Sequence, residues 1–289
     1  MSPVSISWIK CYLRITNFLI NYEQYEKTKL FSFNDKTLFG EVAMRIVRTG
    51  LEDIDAALGG GIIERGSLLI AYDKRSLGWI LGLKIVKHLI ESGTIAVILN
   101  TTLPISRLDL RLKCAGLDLH KAGEEGKLYI IDLFGSKYGI PSRKPYILQI
   151  SDWSEDTGIV KLLNVYRELS SKVPKDSLVV ILVATLEGLY HDFEYPIMKR
   201  ILRASVASLE KEPLNDFRII IISLLNASAV PEHITAWLFT QSEQIIEFVS
   251  HIGPSGLEET ILVPKSVLPK FMPHHYRVKL SKEHFIQLF

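Results

Sequence analysis

An α/β protein built on a mostly parallel sheet is predicted by three observations. Short, predominantly apolar runs recur at residues 68–72, 94–100, 127–132, 177–185 and 218–224. Between them lie segments whose apolar residues fall at helical spacing, as Ile80, Leu83, Val86, Leu89 and Ile90 do in residues 78–90. The run 177–185, SLVVILVAT, is apolar at successive positions. A strand with no solvent-facing side reads as a central parallel strand covered on both faces.

Taken in order, residues 1–43 read as an appendage, with Trp8, Tyr12, Ile15, Phe18, Leu19 and Tyr22 forming an apolar stripe at helical spacing. Its first part is interrupted by Lys10 and Arg14 and lacks a small-residue cleavage site, so a signal peptide is not expected. It reads as a helix packed on the domain or on a partner, with an interfacial amphipathic helix as the alternative. Residues 68–72 are the first core strand, followed by a loop and the helix 78–90. Residues 94–100 form a second strand that ends in Thr101-Thr102-Leu103-Pro104. The helix 104–115 stops at Gly116, a C-cap residue, and carries Arg107, Arg111 and Lys113 as a solvated face that could meet a phosphate or an acidic neighbour.

Residues 127–132 are a third strand. Residues 134–154 are rich in Gly, Pro, Ser and aromatics and read as a surface excursion. The amphipathic helix 158–170 leads into the strand 177–185, and Glu187 comes several residues past the end of that strand. A helix over 195–209, a strand over 218–224, a short helix over 231–239 and a last core strand over 244–249 follow. Residues 257–263 and 276–289 read as a hairpin or edge strands. Lys265, Lys270, His274, His275, Arg277, Lys279 and Lys282 make this tail the most basic part of the chain.

Composition bounds the function. Hydrophobic residues make up 47% of the chain and charged residues 23%, enough for a substantial core. A formal charge of +2 does not by itself point to nucleic acid. Cys11 and Cys114 are far apart and suggest neither a disulfide framework nor a thiolate metal site, so a reducing, cytoplasmic setting is expected. His274 and His275 are neighbours on a strand and point to opposite faces, so no metal site is expected there. No apolar run reaches the roughly 18 residues of a transmembrane segment.

The stretch Thr49-Gly50-x-x-x-Ile54-Asp55-x-x-Leu58-Gly59-Gly60-Gly61-Ile62-x-x-Gly66 resembles the segment that leads into the first core strand in the KaiC-like branch of the RecA ATPase superfamily. The resemblance implies a RecA-like three-layer fold, with a mostly parallel central sheet and helices on both faces. It implies a core over residues 44–250, for which Met44 would make a natural start, and makes residues 251–289 a β-rich basic extension of the same domain. A working member carries a loop G-x-x-x-x-G-K-[ST], in which backbone N–H groups cradle phosphates, the lysine neutralises them and the hydroxyl holds magnesium. Here the eight positions are Asp73-Lys74-Arg75-Ser76-Leu77-Gly78-Trp79-Ile80, and only Gly78 fits.

Asp73 brings a negative charge that repels phosphate, Trp79 stands at the lysine position and Ile80 at the hydroxyl position. Lys74 and Arg75 are left to attract an anion or point into solvent. The adjacent glutamates of the family, one of which orients or activates the attacking water, are replaced by Thr101 and Thr102, neither of which serves as a base near neutral pH. The strand that should end in a magnesium-fixing aspartate ends in Leu182-Val183-Ala184-Thr185. Phosphoryl transfer rests on positioning and charge neutralisation, so four independent replacements argue against hydrolysis.

The expectation is a pseudo-ATPase with a degenerate phosphate loop and no cofactor, neither ATP nor magnesium. It would act as a regulatory or assembly partner of itself or of an active KaiC/RecA-like paralogue, as an oligomer. Two alternatives stand beside it: a nucleic-acid-associated, recombinase-like accessory protein, and a nucleotide-binding protein with a rearranged site.

Overall fold

A computed structural model of the chain describes residues 44–151, 157–193, 195–253, 256–269, 271–280 and 286–288. The appendage 1–43, with its apolar stripe, and Lys270 and Lys282 of the basic tail lie outside the described residues. In chain order the elements are β1 (Ile46–Val47), α1 (Glu52–Leu58), β2 (Ile62–Ile63), β3 (Ser67–Tyr72), α2 (Trp79–Glu91), β4 (Ile95–Asn100), α3 (Ile105–Cys114), α4 (Leu119–Glu124) and β5 (Leu128–Asp132). There follow α5 (Leu133–Tyr138), β6 (Ile147–Leu148), α6 (Gly158–Lys172), β7 (Leu178–Val183), α7 (Glu187–Asp192), α8 (Tyr195–Leu209), β8 (Arg218–Asn226), α9 (Glu232–Gln241), β9 (Gln244–Gly253), β10 (Gly256–Ser266), β11 (His274–Leu280) and β12 (Ile286–Leu288).

Ten strands form one sheet in the order β12-β11-β10-β9-β3-β8-β7-β4-β5-β6. The seven from β9 to β6 run parallel to their neighbours, and β10, β11 and β12 extend the sheet antiparallel from β9. This is the mostly parallel α/β architecture that the apolar runs predict. Successive residues of one strand serve opposite faces. Leu68 and Ile70 of β3 join a core that holds α1 to α4, whereas Leu69 joins a second core that holds α6, α8 and α9. Both faces are covered, which is why these strands are apolar at every position.

The chain leaves β3 on one side and re-enters at β4, beyond β8 and β7, whereas β8 returns to β9 on the other side of β3. The direction of winding reverses beside β3. The C-terminal ends of β3, β8, β7 and β4 (Tyr72, Asn226, Val183 and Asn100) meet there on one edge of the sheet, the usual position of a ligand crevice in open α/β sheets.

The segment before β3 is held by hydrogen bonds and by close backbone approach. Thr49 N donates to Asp55 Oδ1 at 2.7 Å. Helix α1 ends at Gly59 with φ 86°, and Gly61 follows with φ 137°, where a Cβ would stand 2.5 Å from the Val47 carbonyl oxygen. Ile54, Leu58 and Ile62 are buried. Gln244, with no exposed surface, ties this segment to the sheet. Its Oε1 accepts from Ile63 N at 3.0 Å, and its Nε2 donates to Gly61 O at 2.9 Å and to Ser266 Oγ at 3.1 Å.

One sequence expectation is corrected. Residues 134–154 are not only a surface excursion, because α5 covers 133–138 and Ile147–Leu148 pair with β5. The Asp132 carboxylate starts α5 by accepting from Gly135 N at 3.0 Å, and Tyr146, Ile147, Leu148 and Ile150 are buried. A local composition of turn formers is overridden by tertiary burial. Helices α4 and α7 were also not anticipated. Among the described residues no helix is long and apolar enough to cross a membrane, and no group of three His, Cys, Asp or Glu side chains could hold a metal ion.

Replacing Gln244 with Leu should lower stability by about 1–3 kcal/mol for each buried backbone group left without a partner. Urea unfolding monitored by circular dichroism measures this, and an unchanged midpoint would contradict the role given to Gln244.

Candidate functional site

The loop between β3 and α2 is where a helix start presents free backbone N–H groups, the usual seat of an anion. Here the protein supplies the acceptors itself. Asp73 Oδ1 accepts from Arg75 N at 2.7 Å and from Ser76 N at 3.2 Å. Ser76 Oγ accepts from Gly78 N at 2.8 Å, and Ser228 Oγ accepts from Lys74 N at 3.2 Å. From β9, Ser250 donates its N–H and its hydroxyl to the same Asp73 carboxylate, each at 2.6 Å. Burial pushes the Asp73 carboxyl up, but the bonds from Ser250, Arg75 and Ser76 outweigh it and hold the group below the ordinary carboxylate range.

The sequence expectation for Asp73 was repulsion of phosphate. The structure adds that this carboxylate stands as the anion of the loop, bonded to the kind of donors a phosphate would use.

The other loop positions are also accounted for. Lys74 and Arg75 are exposed. Gly78 lies against the Phe248 ring, where a Cβ would come within 2.6 Å of a ring carbon and 3.0 Å of Tyr72 Cβ. Close packing therefore requires glycine at 78, whatever the loop binds. Ile80 is buried in the core. Trp79 is half-buried, with the Arg111 guanidinium carbon 4.9 Å from its ring centroid, a cation–π contact.

A second carboxylate approaches the loop from the antiparallel extension. Glu259 of β10 lies opposite Ser250 in register and near the Ser76 side chain. Its Oε1 is buried without a hydrogen-bond partner. Burial raises the Glu259 carboxyl above its ordinary range, and the nearby Asp73 charge adds to the rise. The two carboxyl groups are pushed apart, one toward the ionised form and the other toward the protonated form.

At the ends of β4 and β7, Thr101 Oγ1 donates to Thr185 O at 2.5 Å and lies 2.7 Å from Thr185 Oγ1. Thr101 and Thr185 are both buried, and their hydroxyls bond to each other across adjacent strands. Thr102 is half-buried beside them.

Reading α3 only as a solvated face is corrected at one position. Lys113 does pair with Asp109 at 2.7 Å on the surface, and Arg107 is exposed. Arg111 turns into the crevice instead. It covers Trp79 and exerts its charge on both Tyr72 and Glu187. Burial pushes Tyr72 well above the ordinary phenol range. Glu187 accepts from Asn226 N at 3.2 Å; burial pushes its carboxyl up, while the bond from Asn226 and the Arg111 charge draw it down. Tyr72, Arg111 and Glu187 come from three separate elements. The traces of this grouping in the sequence are that Glu187 is the first acid after the most apolar strand and that Arg111 could meet an acidic neighbour.

No family model and no curated protein matches the sequence. The fold does match solved structures. One is an uncharacterised protein of Pyrococcus horikoshii, PH0321, crystallised in complex with an unknown peptide. It is 18% identical, with a TM-score of 0.70 over 84% of this chain and 99% of that one. Another is the KaiC-like protein PH0186 of Pyrococcus horikoshii OT3, 15% identical, with a TM-score of 0.61 over 85% of this chain and 99% of that one. At these identities the likeness is one of fold.

The two loop carboxyls have opposite pH signatures. Asp73→Asn should cost about 1.5–3 kcal/mol near neutral pH through lost charge-assisted hydrogen bonds. The folded-state pKa of Asp73 is depressed, so its contribution is present above the unfolded value of about 3.9 and is lost as pH falls through the folded one. The difference between wild type and variant should therefore shrink in acid. For Glu259 the folded-state pKa is raised, so wild type loses stability as pH rises above about 4.3. Glu259→Gln should be more stable than wild type at a pH of about 8 and level with it in acid, as read from urea midpoints across the pH range.

Proposed function

We propose, from the KaiC-like fold, that this chain neither grips nor splits ATP and works as a regulatory or assembly partner inside the cell. Its partner would be a second copy of itself or an active protein of the same fold. The observation that carries this reading is the bonding of the β3–α2 loop. An incoming phosphate would have to displace the Asp73 carboxylate from Arg75 N and Ser76 N. It would also bring like charge beside a carboxylate that Ser250 holds ionised.

The remaining residues do not fit a magnesium triphosphate. The side chain at the lysine position is an indole covered by Arg111, and the one at the hydroxyl position is the buried Ile80. The Thr101 hydroxyl, where relatives carry a carboxylate, is engaged with Thr185. On this reading the side chains at these positions supply neither the cation nor the carboxylate that phosphoryl transfer needs. That PH0321, of similar fold, was crystallised with a peptide supports a polypeptide partner.

A rearranged nucleotide site is the second reading, favoured by the half-buried Glu187 beside Arg111. One set of measurements separates the two. With Mg-ATP, the purified full chain should release no phosphate above the enzyme-free rate, and its melting temperature should not move. Sedimentation should show an oligomer, or a complex with a co-purifying protein of the same fold. Metal-dependent phosphate release would overturn the proposal, and a chain that sediments as a monomer with no such partner would overturn its assembly half. A melting shift without phosphate release, abolished by Arg111→Ala, would establish the second reading instead.

A further inference from the structure

The sheet face opposite α2 holds a cavity of about 470 Å³ that the loop chemistry does not use. Its floor is formed by strand side chains that include Ile181 and Val183, and its walls by side chains that include Ile201 of α8 and Trp237 of α9. The cavity exists because α8, although 15 residues long, buries only Met198 and Ile201. Packed interiors leave few voids larger than a water molecule, and apolar walls around an empty space forfeit dispersion contacts on every side. Water does not remedy this, because an apolar cavity offers it few partners. The volume lies in the usual range of small-molecule sites, about 300–1,000 Å³.

Charge on the lining distinguishes between apolar occupants. Glu243 contributes to the lining, but its carboxylate is held by Ser67 N at 2.8 Å and Ser67 Oγ at 2.9 Å. Arg203 also contributes and is exposed, so it stands at the opening, and it makes no ion pair with a described residue. Lys199, one turn earlier on α8, places its Nζ 5.6 Å from the Trp237 ring centroid. Arg203 is the one cation among the described residues that line the cavity, and most of the others are apolar.

We propose that this cavity binds the anion of a long-chain carboxylic acid, with its alkyl chain on Ile181, Val183, Ile201 and Trp237 and its carboxylate at Arg203. An alcohol of the same length would fill the interior equally but would gain nothing from the guanidinium. A carboxylate on an exposed arginine gains roughly 0.2–1 kcal/mol, so the acid is favoured over the alcohol by a few-fold. This inference does not rest on the reading of the β3–α2 loop, and neither fails with the other.

The test is calorimetric titration of the full chain with saturated carboxylates of increasing length, each kept monomeric in solution. Dodecanoate should bind at one per chain, about two- to fivefold more tightly than dodecanol. Affinity should rise with length and then level off once the cavity is full. Arg203→Glu should erase the preference for acid over alcohol, and Ser223→Phe or Leu202→Trp, which add bulk to the lining at β8 and α8, should abolish binding of both. Absence of binding to the wild-type chain would overturn the proposal. So would an affinity that climbs with length without limit, the mark of surface adsorption, which is read on the unmodified protein whether or not the filled variants fold. Binding with no preference for the acid would overturn the assignment of the carboxylate to Arg203.

Discussion

Backbone N–H groups ahead of a buried helix need acceptors, and in the β3–α2 loop Asp73, Ser76 and Ser228 side chains accept from four of them. Asp73 accepts from Arg75 N and Ser76 N and is clamped from β9 by both donors of Ser250. The same contacts fasten the start of α2 to the strand on the far side of β3, next to the antiparallel extension that carries Glu259. Charge at this one carboxylate reaches the loop, β9 and β10, and the raised pKa of Glu259 follows from its burial, with the nearby Asp73 charge adding to it.

The residues that carry the resemblance to KaiC-like proteins have architectural tasks. Asp55 accepts from Thr49 N, Gly59 takes a left-handed conformation, Gly61 passes close to Val47, and Ile54, Leu58 and Ile62 fill the core. None of them faces the crevice chemistry. A sequence can thus keep this segment and share the fold with PH0186 while the positions at the strand ends do other things. Gly78 shows the same separation. It fits the phosphate-loop pattern, yet the space occupied by Phe248 is sufficient reason for a glycine there.

The two faces of the sheet differ in how tightly they are closed. Helix α2 buries eight of its thirteen residues, whereas α8 buries two of fifteen. The first face is packed beneath the loop. The second leaves the apolar cavity, and the separation of α8 from the strands is what makes a second site possible on a chain whose first crevice is occupied by its own side chains.

The alternation of buried strands and amphipathic helices was legible in the sequence, because a strand covered on both faces must be apolar at successive positions and a helix at every third or fourth. The identities of Trp79 and Ile80 were legible too, and with them the argument against a working phosphate loop. The role of Asp73 was not, since its partner Ser250 lies 177 residues away. Nor was the turning of Arg111 toward Tyr72 and Glu187, nor the strand at Ile147–Leu148, nor the cavity under α8. Periodicity and residue type act over a few neighbours and so determined the elements. Hydrogen-bond partners, the pairing of edge strands and unfilled space depend on which distant segments the winding of the sheet brings together, and only the tertiary structure decided them.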